Sequence, residues 1–475
     1  MTESSDDLLF SGVQGQAEAV ASGHVSAGEL TEAVLSRIDK VDDAVNAFTV
    51  VLADEARAEA ALRDAAHERG DDMGPLQGVP VAIKEENAVG GVVTTFGGAA
   101  NRTPASDDNI VVSRLRAAGA VVVGKTNMPE FGIYPFTESL RHGNTRNPWD
   151  LDRTPGGSSG GTAAAVASGM VAVGIGGDGG GSIRIPSACC GLFGLKPTRG
   201  RVSGDPNPDL WCALGTVGPL TRSVLDSALV YDVVRGNRPA DRYTAPDPDT
   251  SFADAARLTS ASSQRSLRIG WSTKATTPGH RPAAEHVRAV QETAALLEGL
   301  GHEVFEIDPR YPDATSAFLP QLFRGVREEA DLVEEPDLLE PRTRQMLLMG
   351  RWATPTVRAW AERRGEKLTR LVDERIFARA DVLLTPTIAR RPNPVGVLGR
   401  SPAPVALLKA TPMVAYTALW NVTGHPAASL PAGFADDGLP TAVQLVARVN
   451  DEATLFAVAA QIESVRPWAD RRPAL

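Results

Sequence analysis

Short apolar runs of strand character alternate with longer helical stretches along most of this 475-residue chain. The strand-like runs are VPVAI at 79–83, AVVVG at 120–124, VAVGI at 171–175, LRIGW at 267–271, HEVFEI at 302–307 and DVLLT at 381–385. Helix formers or apolar residues at helical spacing fill 13–68, 109–119, 224–235, 282–300, 355–378 and 451–464. That order predicts an α/β fold with a mixed sheet covered by helices on both faces. The length admits about three domains, or one large α/β domain with additions. Apolar residues at 43% and charged residues at 22% are enough for a large buried core.

Composition narrows the function classes. A net charge of −10 argues against a strongly basic nucleic-acid-binding surface. The three cysteines, Cys189, Cys190 and Cys212, are odd in number and two are adjacent, so a disulfide framework is not expected and a reducing compartment is. They offer no C-x-x-C spacing for a structural zinc site. The first ten residues, MTESSDDLLF, lack the basic-then-apolar pattern of a signal peptide, and the apolar runs are too short for a membrane span. The expected setting is cytoplasmic, away from membranes. Residues 236–263 read as a polar surface connection and 320–380 as a charged, solvent-facing helical layer.

Three motifs match familiar patterns and fail on mechanism. GAVVVGKT at 119–126 has P-loop spacing, but its valines are stiff and strand-forming where a phosphate-wrapping loop is required. GIGGDG at 174–179 has dinucleotide-fingerprint spacing, yet Pro186 interrupts the segment that should continue as a helix, and the next acidic residue is Asp205. GSSGG at 157–161 puts Ser159 in the nucleophile slot of an elbow that needs a downstream acid and histidine. Of the four later histidines, only His425, in NVTGHPAASLP, lies in a site-like Gly/Pro context, and a Ser-His-Asp esterase stays open as an alternative on that residue.

A serine can also be activated by a lysine that burial keeps uncharged. Lys84 closes the apolar run in LQGVPVAIKEEN; taken alone it reads better as a strand-end lysine snorkelling or paired with Glu85 or Glu86. In GGDGGGSIRIPSACC, Gly179, Gly180, Gly181 and Ser182 are able to turn successive backbone N–H groups toward one point, as an oxyanion nest does.

Together, Lys84 in GVPVAIKEEN, Ser158 in PGGSSGGTAAAVASG and Ser182 in DGGGSIRIPSACCGLFGLKPTRGRVS resemble the Ser-cisSer-Lys triad of the amidase signature family, closest in look to bacterial acylamide amidases. The resemblance runs from about residue 10 to 464. It selects Ser158 over Ser159, because Ser158 lies 24 positions before Ser182 and matches the family spacing.

It implies a single large domain over 1–475 with a twisted sheet, a signature core at 78–201 and a variable, substrate-shaping region at 236–420. It further implies that Ser182 attacks an amide carbonyl, that Ser158, after a cis peptide bond, relays the proton, and that Lys84 is the base. The amides of Gly179, Gly180, Gly181 and Ser182 would form the oxyanion hole. Gly132, Ile133 and Tyr134 fall where the family lines its acyl pocket. The implied reaction is hydrolysis of a small, aryl or alkyl amide, with esters or carbamates as further substrates. No metal or cofactor is implied, and the partners are a small amide and water, with a homodimer allowed. The A subunit of a tRNA-dependent amidotransferase shares the triad and remains the alternative. Gly177 and Gly179 stand where the family often has Thr, which is expected to loosen the loop. Asp178 and Arg184 read as a structural ion pair, and Cys189–Cys190 as small core residues.

Overall fold

The computed structural model describes residues 5–475 apart from Met73, Pro208, Leu210, 259–265, Val397 and Arg400. In chain order its strands are β1 (Phe48–Val51), β2 (Pro80–Lys84), β3 (Val121–Thr126), β4 (Glu138–Ser139), β5 (Gly143–Asn144), β6 (Val173–Gly177), β7 (Phe193–Lys196), β8 (Val217–Thr221), β9 (Arg268–Trp271), β10 (Glu303–Glu306), β11 (Val382–Pro386), β12 (Ala427–Phe434) and β13 (Pro440–Ala447). Strands β4 and β5 pair with each other. The other eleven form one sheet in the order β1-β3-β2-β6-β8-β7-β12-β13-β11-β9-β10. The pairs β2/β3, β2/β6, β9/β10 and β9/β11 are parallel, and the middle of the sheet is antiparallel.

Helices cover both faces, in agreement with the alternation of the sequence. Side chains on a strand alternate between faces, so Val81 and Ile83 enter one core cluster while Ala82 between them enters another. The first cluster lies under the helices Ile110–Ala117, Val224–Val234, Ala284–Gly299 and Glu452–Val465. The opposite face carries two clusters, one under the helices Ala27–Val45 and Gly160–Ala167, the other under Thr315–Ala330 and Pro355–Val372. Among the described residues no helix is long and apolar enough to cross a membrane.

The expected helix over 13–68 is interrupted. Asn46 takes a left-handed conformation (φ 58°) that ends the helix Ala27–Val45. The FTVV segment beyond it then pairs antiparallel with β3 as β1. The six predicted strand runs are present, but β7, β8, β12 and β13 carry no strand signal in the sequence. They are nearly all buried, so they lack alternation, and β12 (AASLPAGF) is rich in Ala, Gly and Pro as well.

Two surface readings also change. Within 236–263, Phe252–Ala256 forms a short helix with Phe252 buried, while 259–263 lie outside the described residues. The charged layer at 320–380 is one-sided: Leu322, Phe323, Val326, Met346 and Leu368 face inward and build the third core cluster.

Candidate active site

Because β2 and β6 are parallel neighbours, with Ile83 opposite Ile175, their carboxyl ends open on the same edge of the sheet. Lys84 is the last residue of β2, and the loop 178–182 leaves β6 directly. Ser158 and Ser159 precede the helix Gly160–Ala167, which packs on β6 and β2. Side chains 74 and 24 positions from Ser158 in sequence thus converge. The Gly157–Ser158 peptide is cis. Lys84 Nζ, 1% exposed, lies 2.8 Å from Ser158 Oγ. The Ser159 N–H donates to the Ser182 carbonyl at 3.3 Å, tying the two serine loops together.

The surroundings of Lys84 are less apolar than its sequence context suggests. Glu86 Oε2 stands 3.2 Å from Nζ, and the Gly177 carbonyl lies at 3.5 Å. Glu85 points elsewhere: it accepts from the Thr95 backbone and hydroxyl and from the Thr49 hydroxyl, and it faces buried Lys125 at 3.6 Å. Lys125 belongs to the P-loop look-alike; it sits in β3 and donates to Thr94 Oγ1 and the Val93 carbonyl.

The loop 178–182 is shaped by Asp178. Its carboxylate accepts from the backbone N–H groups of Gly181 (2.7 Å), Ile183 (3.2 Å) and Arg184 (3.4 Å). Arg184 Nη2 meets Oδ1 at 2.9 Å with both side chains fully buried. Burial opposes charge on Asp178, but the Arg184 guanidinium and the Asn421 amide outweigh it and hold the carboxyl well below the usual range. The ion-pair expectation therefore stands. The oxyanion expectation narrows, because the Gly181 N–H is held by Asp178; Gly179, Gly180 and Ser182 keep the amides that would serve.

Gly177 and Gly179 also serve a packing role. A Cβ at 177 would overlap Glu86 Oε1, and one at 179 would lie 2.8 Å from the Trp211 ring. Each glycine makes room for a neighbouring side chain. Sequence reasoning misses both occupants: Glu86 reads there only as a generic partner for Lys84, and Trp211 lies far away in sequence, between β7 and β8.

Ser182 opens on two cavities. One, of about 90 Å³, is mixed in character, with Lys84, Glu86, Arg199 and Arg242 alongside Val202 and Trp211 on its walls. The other, of about 440 Å³, is mostly apolar, with Ile185, Phe318, Leu322, Phe323, Leu407 and Leu419 on its walls. The sequence-selected Gly132, Ile133 and Tyr134 all line the apolar cavity. Trp211 and Gly132, like Ser182, border both.

The Ser-His-Asp alternative fails on geometry. Ser159 Oγ donates to the Gly177 carbonyl. His425 is buried, bonded to Thr423 Oγ1 and Asp373 Oδ1 and stacked on Phe377. Burial lowers its pKa, with Asp373 opposing. The cysteines are free and buried, and burial pushes the Cys189 thiol up to about 12.

The amidase family model matches residues 29–456, and the chain belongs to that family. It is 47% identical over 471 residues to AmiB2 of Mycobacterium tuberculosis, with 99% of each chain covered. Among solved structures it is similar to a 6-aminohexanoate cyclic dimer hydrolase (33% identity, TM-score 0.90, 98% of this chain and 99% of that one). A bacterial aryl acylamidase of the amidase signature family is also similar (27% identity, TM-score 0.86, 97% of each chain). The chain is accordingly an amide-cleaving hydrolase of the amidase signature class.

Proposed function

We propose that this amidase works through an acyl-enzyme on Ser182, with Ser158 as proton relay and Lys84 as base. The observation that carries this reading is the 2.8 Å contact between buried Lys84 Nζ and Ser158 Oγ beside the Ser182 loop. Ser182 Oγ attacks the carbonyl carbon while its proton passes to Ser158 and that of Ser158 to Lys84. The amides of Gly179, Gly180 and Ser182 are the donors available to the oxyanion. Lys84 then returns the proton through Ser158 to the leaving nitrogen, the C–N bond breaks, and water releases the acid by the same route.

The acyl group occupies the apolar cavity and the amine leaves through the smaller, mixed one. An apolar chamber of about 440 Å³ favours aryl or medium alkyl acyl groups over acetyl. The names of the similar proteins, one an aryl acylamidase and one a 6-aminohexanoate cyclic dimer hydrolase, fit such substrates. Esters and carbamates present the same carbonyl and belong to the same reading.

The test is a panel of anilides, aliphatic amides, esters and carbamates on one preparation, with fluorophosphonate labelling. Ser182→Ala should abolish turnover and labelling, and Ser159→Ala should retain most of both. Labelling that survives Ser182→Ala refutes the assignment.

A further inference from the structure

We propose that Glu86 is a positioning residue for the reaction: its carboxylate turns the lone pair of Lys84 toward Ser158 and stabilises the ammonium formed when the serines give up their proton. This rests on the acyl-enzyme reading above.

Donors and acceptors around the amine set its orientation. Three oxygens surround Lys84 Nζ: Ser158 Oγ at 2.8 Å, Glu86 Oε2 at 3.2 Å and the Gly177 carbonyl at 3.5 Å. A neutral amine has two N–H donors and one lone pair. A carboxylate and a carbonyl only accept, whereas a hydroxyl both donates and accepts. With Glu86 and Gly177 taking the two N–H groups, the lone pair has one donor left to face, the Ser158 O–H. Without Glu86, the amine is free to turn an N–H toward Ser158, which blocks the transfer.

The fold provides the place for this carboxylate. Oε1 of Glu86 occupies the space that any side chain at Gly177 would fill, so the acid is seated against β6. Across from it, on the helix Thr315–Ala330, is the buried carboxyl of Glu329. Burial, and then the negative charge of Glu86, pushes Glu329 well above the usual carboxylate range. The other ionisable groups lining the chamber have partners of their own. Asp178 is held by Arg184, Arg199 lies over the Tyr243 ring, Arg242 pairs with Glu362 and Asp241 accepts from Ser203. The Cys212 thiol stays protonated, pushed up mainly by burial. Glu86 is the carboxylate in ion-pair contact with Lys84.

The step balances. The Ser158 O–H bond breaks as an N–H bond forms on Lys84, and Ser158 recovers a proton from Ser182 as the new C–O bond forms. The ammonium then lies against an ionised carboxylate, the role that an aspartate plays for histidine in Ser-His-Asp triads. The same proton later goes to the leaving nitrogen.

The test is the pH profile of kcat/KM on a chromogenic anilide for the parent and for Glu86→Gln. An opposite charge near a base favours its charged form. Removing it should move the acid limb about one pH unit or more to lower pH, while the plateau falls at least about tenfold and KM stays near the parent value. Glu86→Asp retains the charge and should keep the limb near its parent position. Gly177→Ala, which displaces the carboxylate without deleting it, should shift the limb as Glu86→Gln does. A Glu86→Gln profile superimposable on the parent overturns the proposal. So does a lower plateau with an unmoved limb, which would mark a structural role only. Ser182→Ala assayed alongside separates the two readings: turnover surviving there would remove the acyl-enzyme itself, whereas its loss beside an unaltered Glu86→Gln removes only the role of Glu86.

Discussion

Arg184→Met should cost about 3–5 kcal/mol of stability, the range for removing one partner of a buried ion pair. The guanidinium donates to both carboxylate oxygens of Asp178, to the Thr417 carbonyl, to Gln444 Oε1 and to Asn421 Oδ1, at 2.7–3.1 Å. At the 2.9 Å between Nη2 and Oδ1, the ionic attraction alone is about 6 kcal/mol at an effective dielectric of about 20. Desolvation of both charges offsets much of that when the pair forms. Removing Arg184 alone recovers only its own share of that offset and leaves the buried Asp178 carboxyl without its countercharge. The double variant Asp178→Asn/Arg184→Met removes both charges of the pair, and its amide oxygen still accepts from the Gly181 N–H. It should be more stable than Arg184→Met alone by about 2 kcal/mol or more. Guanidinium unfolding followed by tryptophan fluorescence reads both. The reasoning is refuted if Arg184→Met lies within about 1 kcal/mol of the parent, or if the double variant is no more stable than the single one.

The apolar cavity and a buried acid give two further expected outcomes. Phe318 walls the apolar cavity beside Gly180; Phe318→Ala should raise KM for aryl-acyl anilides by about 5–30-fold, equivalent to about 1–2 kcal/mol of lost apolar contact, and leave acetanilide nearly unaffected. Glu463 has its carboxyl pushed up to about 8 by burial, with the Val224 N–H opposing. Its folded form binds the proton more tightly than the unfolded one, so its contribution is full below the ordinary carboxylate range and is lost as pH rises through about 8. Melting curves between pH 5 and 9 should show a smaller alkaline loss of Tm for Glu463→Gln than for the parent; equal losses would contradict the assignment.

The parallel flanks of the sheet were legible because their strands are continuous apolar runs set between amphipathic helices. The antiparallel centre was not, since segments such as AASLPAGF owe their conformation to pairing on both sides rather than to local preference. The site divides along the same line. Lys84, Ser158 and Ser182 stand in glycine-flanked stretches whose spacing is characteristic, so they could be picked out and paired. Glu86 carried a signal too, an acid two residues beyond a buried lysine, but its meaning depends on Gly177, whose neighbours appear only when β2 and β6 lie side by side. Trp211 left no local trace, because its place is reserved by Gly179 on the loop 178–182 and by Gly325 on the helix Thr315–Ala330.

The pairing of β2 with β6 also bears on how the enzyme fails when heated. Lys84 ends one strand and the Ser182 loop leaves the other, so their separation is set by ladder hydrogen bonds in the interior of an eleven-stranded sheet. Pulling them apart requires opening the sheet itself, and turnover should persist until the whole domain melts. The wall between the two cavities has no such anchorage: Trp211 sits on a connection outside the sheet, with Trp211 and Cys212 both in left-handed conformations (φ 57° and 59°). Connections of this kind open at lower free energy than paired strands. On warming, discrimination among acyl groups should therefore blur at temperatures where the chemistry is still intact.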